Sequence, residues 1–277
     1  MSFGSKPRNE TTIKNGGTMS YYTELETART MPGMRLVTTA GVPGPWGEAA
    51  KAIMHIKKIP VVNVMQAGGQ ENPELVAWTG INSGPIAIWN NERPRANWVD
   101  ILMLAERIQP EPSLIPRDER DRAWMFGLAH ELCSEDGYGW NRRLVFFAGW
   151  DQAAAANPAL HGDASIIRMR EKYDPGTPVG HARQRILDIV TLLAAQLSEQ
   201  ESNGSRYYIG NQLSALDIYA AMFTAMIKPL PIEQCPTSPE LHYGYHDFDP
   251  QVTDIAAPLL AHRDYIYQTY LELPMKF

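Results

Sequence analysis

Eight residues, "QPEPSLIP" at 109–116, carry three prolines and separate two halves of different pattern. Such a run stiffens the chain and interrupts regular structure, so it reads as a linker and a domain boundary. Ahead of it, short apolar or β-branched runs alternate with helical ones; beyond it the pattern is helical to the end. A chain of 277 residues has room for two cores. Its 44% hydrophobic and 20% charged content are globular values.

In the first half, "MRLVTT" from Met34 is a short apolar strand, and "IPVVNVM" is a second one rich in β-branched residues. Between them a helix is expected from about Pro45 to Lys57, with Pro45 in its first turn. Strand, helix and strand in this order make a parallel pair with a right-handed crossover. "NPELVAW" reads as a short helix. "GPIAIW", the turn "NNER" and a return through Pro94 read as a small antiparallel hairpin. Trp98, Ile101, Leu102, Ala105 and Ile108 then recur at helical spacing. The expected order is β-α-β-α-β-β-α over 34–108. Residues 1–33 form an N-terminal extension, disordered over about the first 20 residues because of their polar composition, with a short helix within 22–30.

The second half, 117–277, is expected to be all helical. Pro116-Arg117-Asp118-Glu119 opens a helix with acids where the dipole favours them. In "HELCSEDGYGWNRR", Gly137 and Gly139 interrupt a helical run on either side of Tyr138, which predicts a bend. Ile186, Ile189, Val190, Leu193 and Leu197 line one face of a long core helix with a glycine stop at Asn203-Gly204. In "IGNQLSALDIYAAM", Ser214 and Asp217 are spaced as a capping pair, with Leu213 and Ile218 at staple positions. "AHRDYIYQTYLELP" is a final helix, and the proline- and aromatic-rich stretch 229–256 is an ordered wrap.

Several functional classes drop out. A net charge of −6 and a pI near 5.7, without a Lys/Arg cluster, argue against a nucleic-acid face. No apolar run approaches the roughly 20 residues that span a bilayer, so no membrane partner is expected. The first 20 residues lack the apolar core of a signal peptide. Cys133 and Cys235 are too few for a disulfide framework and lack metal-site spacing, as do the adjacent His130 and Glu131; no metal site is expected. A cytoplasmic protein is the simplest reading.

The stretch "TTAGVPGPWGEAAKAI", 38–53, is a strand end, a tight turn and a helix start. A helix N-terminus in that setting binds and activates anions. The turn contains no Ser, Cys or Tyr; the nearest hydroxyls are Thr38 and Thr39.

These marks together resemble the glutathione transferase family over residues 34 to about 274, as an atypical, bacterial-type member. "IGNQLSALDIYAAM" looks like the buried capping motif of the family's helical domain, "SGPIAIW" like the segment whose cis-proline sits beside glutathione, and "ANWVDILMLAER" like the helix that receives the γ-glutamyl end. The resemblance implies a thioredoxin-like α/β N-terminal domain that binds glutathione, an all-α C-terminal domain for substrate and dimerisation, and a homodimer. The fold does not by itself give the reaction.

Glutathione reacts as its thiolate, and a free thiol has a pKa of about 8.5, so the site must lower it. Family members add a Tyr or Ser hydroxyl or use a Cys; here the Cys position falls on Gly44 and the Tyr position near Val42. Thr39 is the candidate catalytic hydroxyl, against a plain structural role at a strand end. Trp46 either walls the thiol pocket or makes a hydrophobic contact at the helix start. Gly84 and Pro85, the latter after a cis bond, would pair with the cysteinyl part of glutathione like an added strand. Where the family shows an acid or Gln followed by Ser, this chain has Ala96-Asn97; Asn97 and Arg95 are candidates for the γ-glutamyl carboxylate, or for helix capping and a solvated charge. Tyr138, Trp140 and Arg142 are candidates for the substrate side, Arg142 as an anion ligand, or else part of an exposed glycine loop. Two functions stay open: an enzyme attacking a small electrophile with glutathione thiolate, and a non-catalytic ligand-binding or interaction scaffold.

Overall fold

The computed structural model describes residues 21–157, 162–247 and 249–277. The 1–20 segment, expected to be disordered, lies outside them. Helix α1 (Leu25–Thr30) leads into β1 (Met34–Thr39), α2 (Pro45–Ile56), β2 (Val61–Gln66), α3 (Pro73–Thr79), β3 (Ile86–Trp89) and α4 (Trp98–Ile108). The sheet order is β2-β1-β3. β1 and β2 are parallel from Met34↔Val61 to Thr39↔Gln66, as the crossover requires, and β3 runs antiparallel from Met34↔Trp89 to Val37↔Ile86. The central strand is buried without alternation from Met34 to Thr38, Arg35 and Thr38 included, because helices and sheet partners cover both of its faces.

The expected return strand does not form. After the turn, the chain makes a single bridge, Ala87↔Arg95, and enters α4 three residues later. Pro94 has no N–H to extend a ladder, and Asn97 caps α4 at once by accepting from Val99 N at 3.0 Å. At the opposite edge, Thr23 bridges Val64 and donates its N–H to Asn63 O at 2.8 Å, so residues just before α1 cover β2.

The linker is tied down from below. Lys57 is buried, with Nζ 2.6 Å from Glu106 and donating to the carbonyls of Gln109 and Pro112 at 2.8 and 2.9 Å. Beyond it come α5 (Glu119–Cys133), α6 (Tyr138–Ala156), α7 (Ala164–Tyr173), α8 (Val179–Ser202), α9 (Ala215–Thr224), α10 (Pro239–Gly244), α11 (Pro250–Ile255) and α12 (Ala257–Tyr270). α5 starts later than the Pro116 opening suggests, because Asp118 is the residue that caps it, accepting from Arg120 N and Asp121 N. The expected bend at Tyr138 is a full break between α5 and α6: a Cβ on Gly137 would lie 2.7 Å from the carbonyl oxygens of Glu131 and Ser134. The wrap contains the short helices α10 and α11, and the long helix α8 stops at Gly204, φ +79°.

α9 is buried along its whole length at the centre of the helical half and packs on α2, α5 and α12. The expected capping pair is there: Ser214 donates from N and Oγ to Asp217 Oδ2 at 2.8 and 2.7 Å. Asp217 Oδ1 also accepts from Tyr208 N at 2.9 Å and meets His262 Nε2 at 3.0 Å. One apolar core runs from Leu36 and Ile53 through Phe223 and Leu216 to Leu128 and Ile189, joining the sheet-bearing half to the helical half.

Candidate functional site

Three loops meet where β1 and β2 end and β3 begins: the turn 40–44, the loop 67–72 and the loop 80–85. The carboxyl ends of parallel strands are where open α/β sheets bind ligands. Asn72, at φ 45°, joins two of the loops: its Oδ1 accepts from Ala67 N at 3.0 Å, and its Nδ2 donates to Ala67 O and Asn82 Oδ1, both at 2.9 Å. Sequence reasoning missed it; the signal was the Asn72-Pro73 pair, which favours turn initiation.

The Gly84–Pro85 peptide is cis, as the resemblance led us to expect. The segment lies against the end of β1. A Cβ on Gly84 would stand 3.2 Å from Thr39 N and 3.4 Å from Thr39 Oγ1. Thr39 donates its hydroxyl to Gln66 Oε1 at 2.6 Å, and Thr38 is buried against Gly47. In α2, the first intrahelical bond runs from Glu48 N to Gly44 O at 2.9 Å. The N–H groups of Trp46 and Gly47 precede it and belong to the donors that a helix leaves without an internal acceptor.

Trp46 faces the helical half. Its Nε1 donates to Cys133 O at 2.8 Å, and its ring meets Phe223 edge to face at 4.9 Å. Gly139 makes this contact possible, since a Cβ there would lie 2.3 Å from Phe223 Cε1 and 2.8 Å from Trp46 Cη2. Cys133 is buried, and burial raises its thiol pKa well above the ordinary value.

Arg95 and Asn97 follow the bridge on Ala87 and so lead to the end of β3 that Pro85 opens. Asn97 is exposed and spends Oδ1 on its helix cap. Arg95 donates to Glu92 Oε2 at 2.7 Å, and Glu92 also takes Arg107 at 2.6 Å. The two guanidiniums, Arg107 foremost, hold the Glu92 carboxyl below its ordinary range.

On the substrate side the three candidates part company. Trp140 turns towards α7 and meets Tyr173 edge to face at 5.6 Å. Tyr138 does not: it is buried in the core, and burial, chiefly, raises its phenol pKa. Arg142 turns to the wrap, 3.3 Å from Asp247 and donating to His246 O at 3.2 Å, so it is an internal ion pair rather than an open anion ligand. The neighbouring Arg143 is the arginine that lies against Trp46 and Trp140. α7 reaches over the loops: Arg168 Nε donates to Gly69 O and Lys172 Nζ to Asn82 O, each at 2.6 Å. Two cavities lie elsewhere, one of about 280 Å³ behind α2 beside Lys51 and Met275, the other of about 340 Å³ beside α12 near His242 and Arg263. Among the described residues no helix is long and apolar enough to cross a membrane.

No protein-family model and no curated protein matches the chain. Solved structures do. A glutathione S-transferase from Xanthobacter autotrophicus Py2 superposes with a TM-score of 0.55 at 14% identity, over 87% of this chain and 96% of that one. One from Methylobacillus flagellatus KT, with glutathione bound, gives 0.55 at 13% over 85% and 95%. A rice enzyme in complex with glutathione gives 0.54 at 17% over 87% and 93%. The chain therefore has the glutathione transferase fold: a thioredoxin-like N-terminal domain followed by a helical C-terminal domain.

Proposed function

We propose that the protein binds glutathione at the corner of β1, α2 and Gly84–Pro85 and uses its thiolate on a small electrophile. The observation that carries this reading is the seating of Gly84 against Thr39, in front of the first turn of α2. An extended peptide laid along residues 84 and 85 gains main-chain hydrogen bonds and brings a cysteinyl sulfur to that turn. Asn97 and Arg95 stand at the γ-glutamyl end. Thr39 commits its proton to Gln66, so as arranged it offers a thiolate no donor. The amides of Trp46 and Gly47, with the helix dipole, take that part, and Trp46 forms the wall towards the second domain. The thiolate forms an S–C bond with the electrophile, the leaving group departs with its electron pair, and the thiol proton passes to solvent. In this reading 34–108 holds glutathione, 109–116 links, and 117–277 holds the electrophile and the contact of a cytoplasmic homodimer.

The second reading, a scaffold without catalysis, draws on one observation: the turn 40–44 has no hydroxyl or thiol. Calorimetry of the full chain with glutathione, together with the ultraviolet absorbance of the bound thiolate, separates the two. Saturable binding with a thiol pKa below about 8.5 is expected, and Asn97→Ala should weaken binding about tenfold through a lost bond to a charged group. Binding with an unshifted thiol would favour the scaffold. No heat up to roughly 10 mM, where a Kd of 1 mM would nearly saturate, would overturn glutathione binding altogether.

A further inference from the structure

The cations around this corner are spent on the fold, with one exception. Arg142 pairs with Asp247, Arg168 with Gly69 O, Arg170 with Asp151, and Lys172 with Asn82 O. Arg143, on α6, has aromatic neighbours instead. Its guanidinium carbon stands 3.9 Å from the ring centre of Tyr173, 4.8 Å from Trp46 and 5.5 Å from Trp140. Tyr245 of the wrap is a further titratable neighbour, itself kept neutral by burial, and desolvation lowers the Arg143 pKa. Among the described residues no carboxylate or carbonyl bonds to it.

Ring contacts of this kind supply no hydrogen-bond acceptor and so leave the N–H fork of a guanidinium unspent. That fork matches a carboxylate in two-point geometry. The residue keeps part of its surface open to solvent. Trp46 is the second residue of α2, so the cage begins beside the place proposed for the sulfur. Trp140 and Tyr173 supply flat apolar walls next to the cation.

We propose that the second substrate is an aromatic carboxylate, its carboxylate held by Arg143 and its ring by Trp46, Trp140 and Tyr173. The identity of the site as a substrate site rests on the glutathione reading above; the preference for a carboxylate does not.

The test uses 2-naphthoate and its neutral analogue 2-naphthamide, titrated into the full chain by calorimetry and tryptophan fluorescence. Naphthoate is expected to bind at least about tenfold more tightly, as a charge-assisted pair should. Arg143→Gln should abolish that preference and leave glutathione affinity unchanged, while Arg143→Lys, which lacks the fork, should keep part of it. Equal binding of the two probes by the wild type, or a preference that survives Arg143→Gln, would overturn the proposal. So would a loss of glutathione affinity in Arg143→Gln with naphthoate binding intact, because the guanidinium would then serve a carboxylate of glutathione itself. If Arg143→Gln does not fold, the wild-type comparison and Arg143→Lys decide. Naphthoate preference without any glutathione binding would remove the transferase reading and leave the carboxylate site standing.

Discussion

Glu48 lies in α2 with its carboxylate 2.7 Å from Lys51 Nζ, and both side chains are largely withdrawn from water. Burial raises its pKa above the ordinary 4.5, and Lys51 offsets only part of the shift. A carboxyl whose folded pKa lies above its unfolded one binds its proton more tightly when folded. Its stabilising contribution is therefore full below about 4.5 and is lost as pH rises through the raised value. The urea midpoint of Glu48→Gln relative to wild type should rise between about pH 4.5 and neutrality. A difference that stays flat across that window would mean that Lys51 cancels the desolvation. The same scale shows where sequence reading reached its limit. Consecutive residues on a helix point about 100° apart, so "NRR" offered two arginines for one role. Packing against Asp247 took Arg142, and the rings of Trp46 and Tyr173 took Arg143. Partners 30 to 105 residues away made those choices, and nothing local encodes them.

At the level of elements, α9 is where sequence and structure agree most fully. The Ser214–Asp217 spacing is local, and a capping pair satisfies first-turn donors wherever the helix then packs. What the spacing does not tell is that Asp217 also holds Tyr208 N and His262. Removing an acid so enclosed leaves several buried polar groups without a partner. Asp217→Ala should cost about 3–5 kcal/mol, with a smaller loss for Asp217→Asn, measured by urea unfolding. A cost below about 1 kcal/mol would show that water replaces the carboxylate. The strands β1 and β2 were legible as short apolar or β-branched runs, α2 by the Pro45 that opens it, and α4 and α8 by an apolar pattern at period 3.6. The return strand was misread because β propensity cannot show that a cap two residues further on ends the pairing. α7 falls in the half expected to be helical but was not singled out, since its polar face, with Arg168 and Lys172, meets loops rather than a core.

Across the whole molecule, the continuous core makes α9 and α2 parts of one packing unit although they lie in different domains. Trp46 seals the same seam through Cys133 O and Phe223. Unfolding should therefore be a single transition. Tryptophan fluorescence, with Trp46, Trp78, Trp89 and Trp98 before the linker, should coincide with far-ultraviolet circular dichroism, which weighs the helical half. Two separated transitions would show that the seam is weaker than the cores it joins. By itself the sequence determined the two-domain division of pattern, the parallel crossover, the capping pair and the absence of a hydroxyl or thiol from the turn 40–44. These follow from spacing and residue chemistry within a few turns of chain. Only the tertiary structure decided that Thr39 gives its proton to Gln66, that Asn72 joins the loops beside Gly84, and that Arg143 rather than Arg142 faces the corner. Those outcomes depend on which distant groups arrive within hydrogen-bond or ring-contact distance, and such encounters exist only once both halves have packed together.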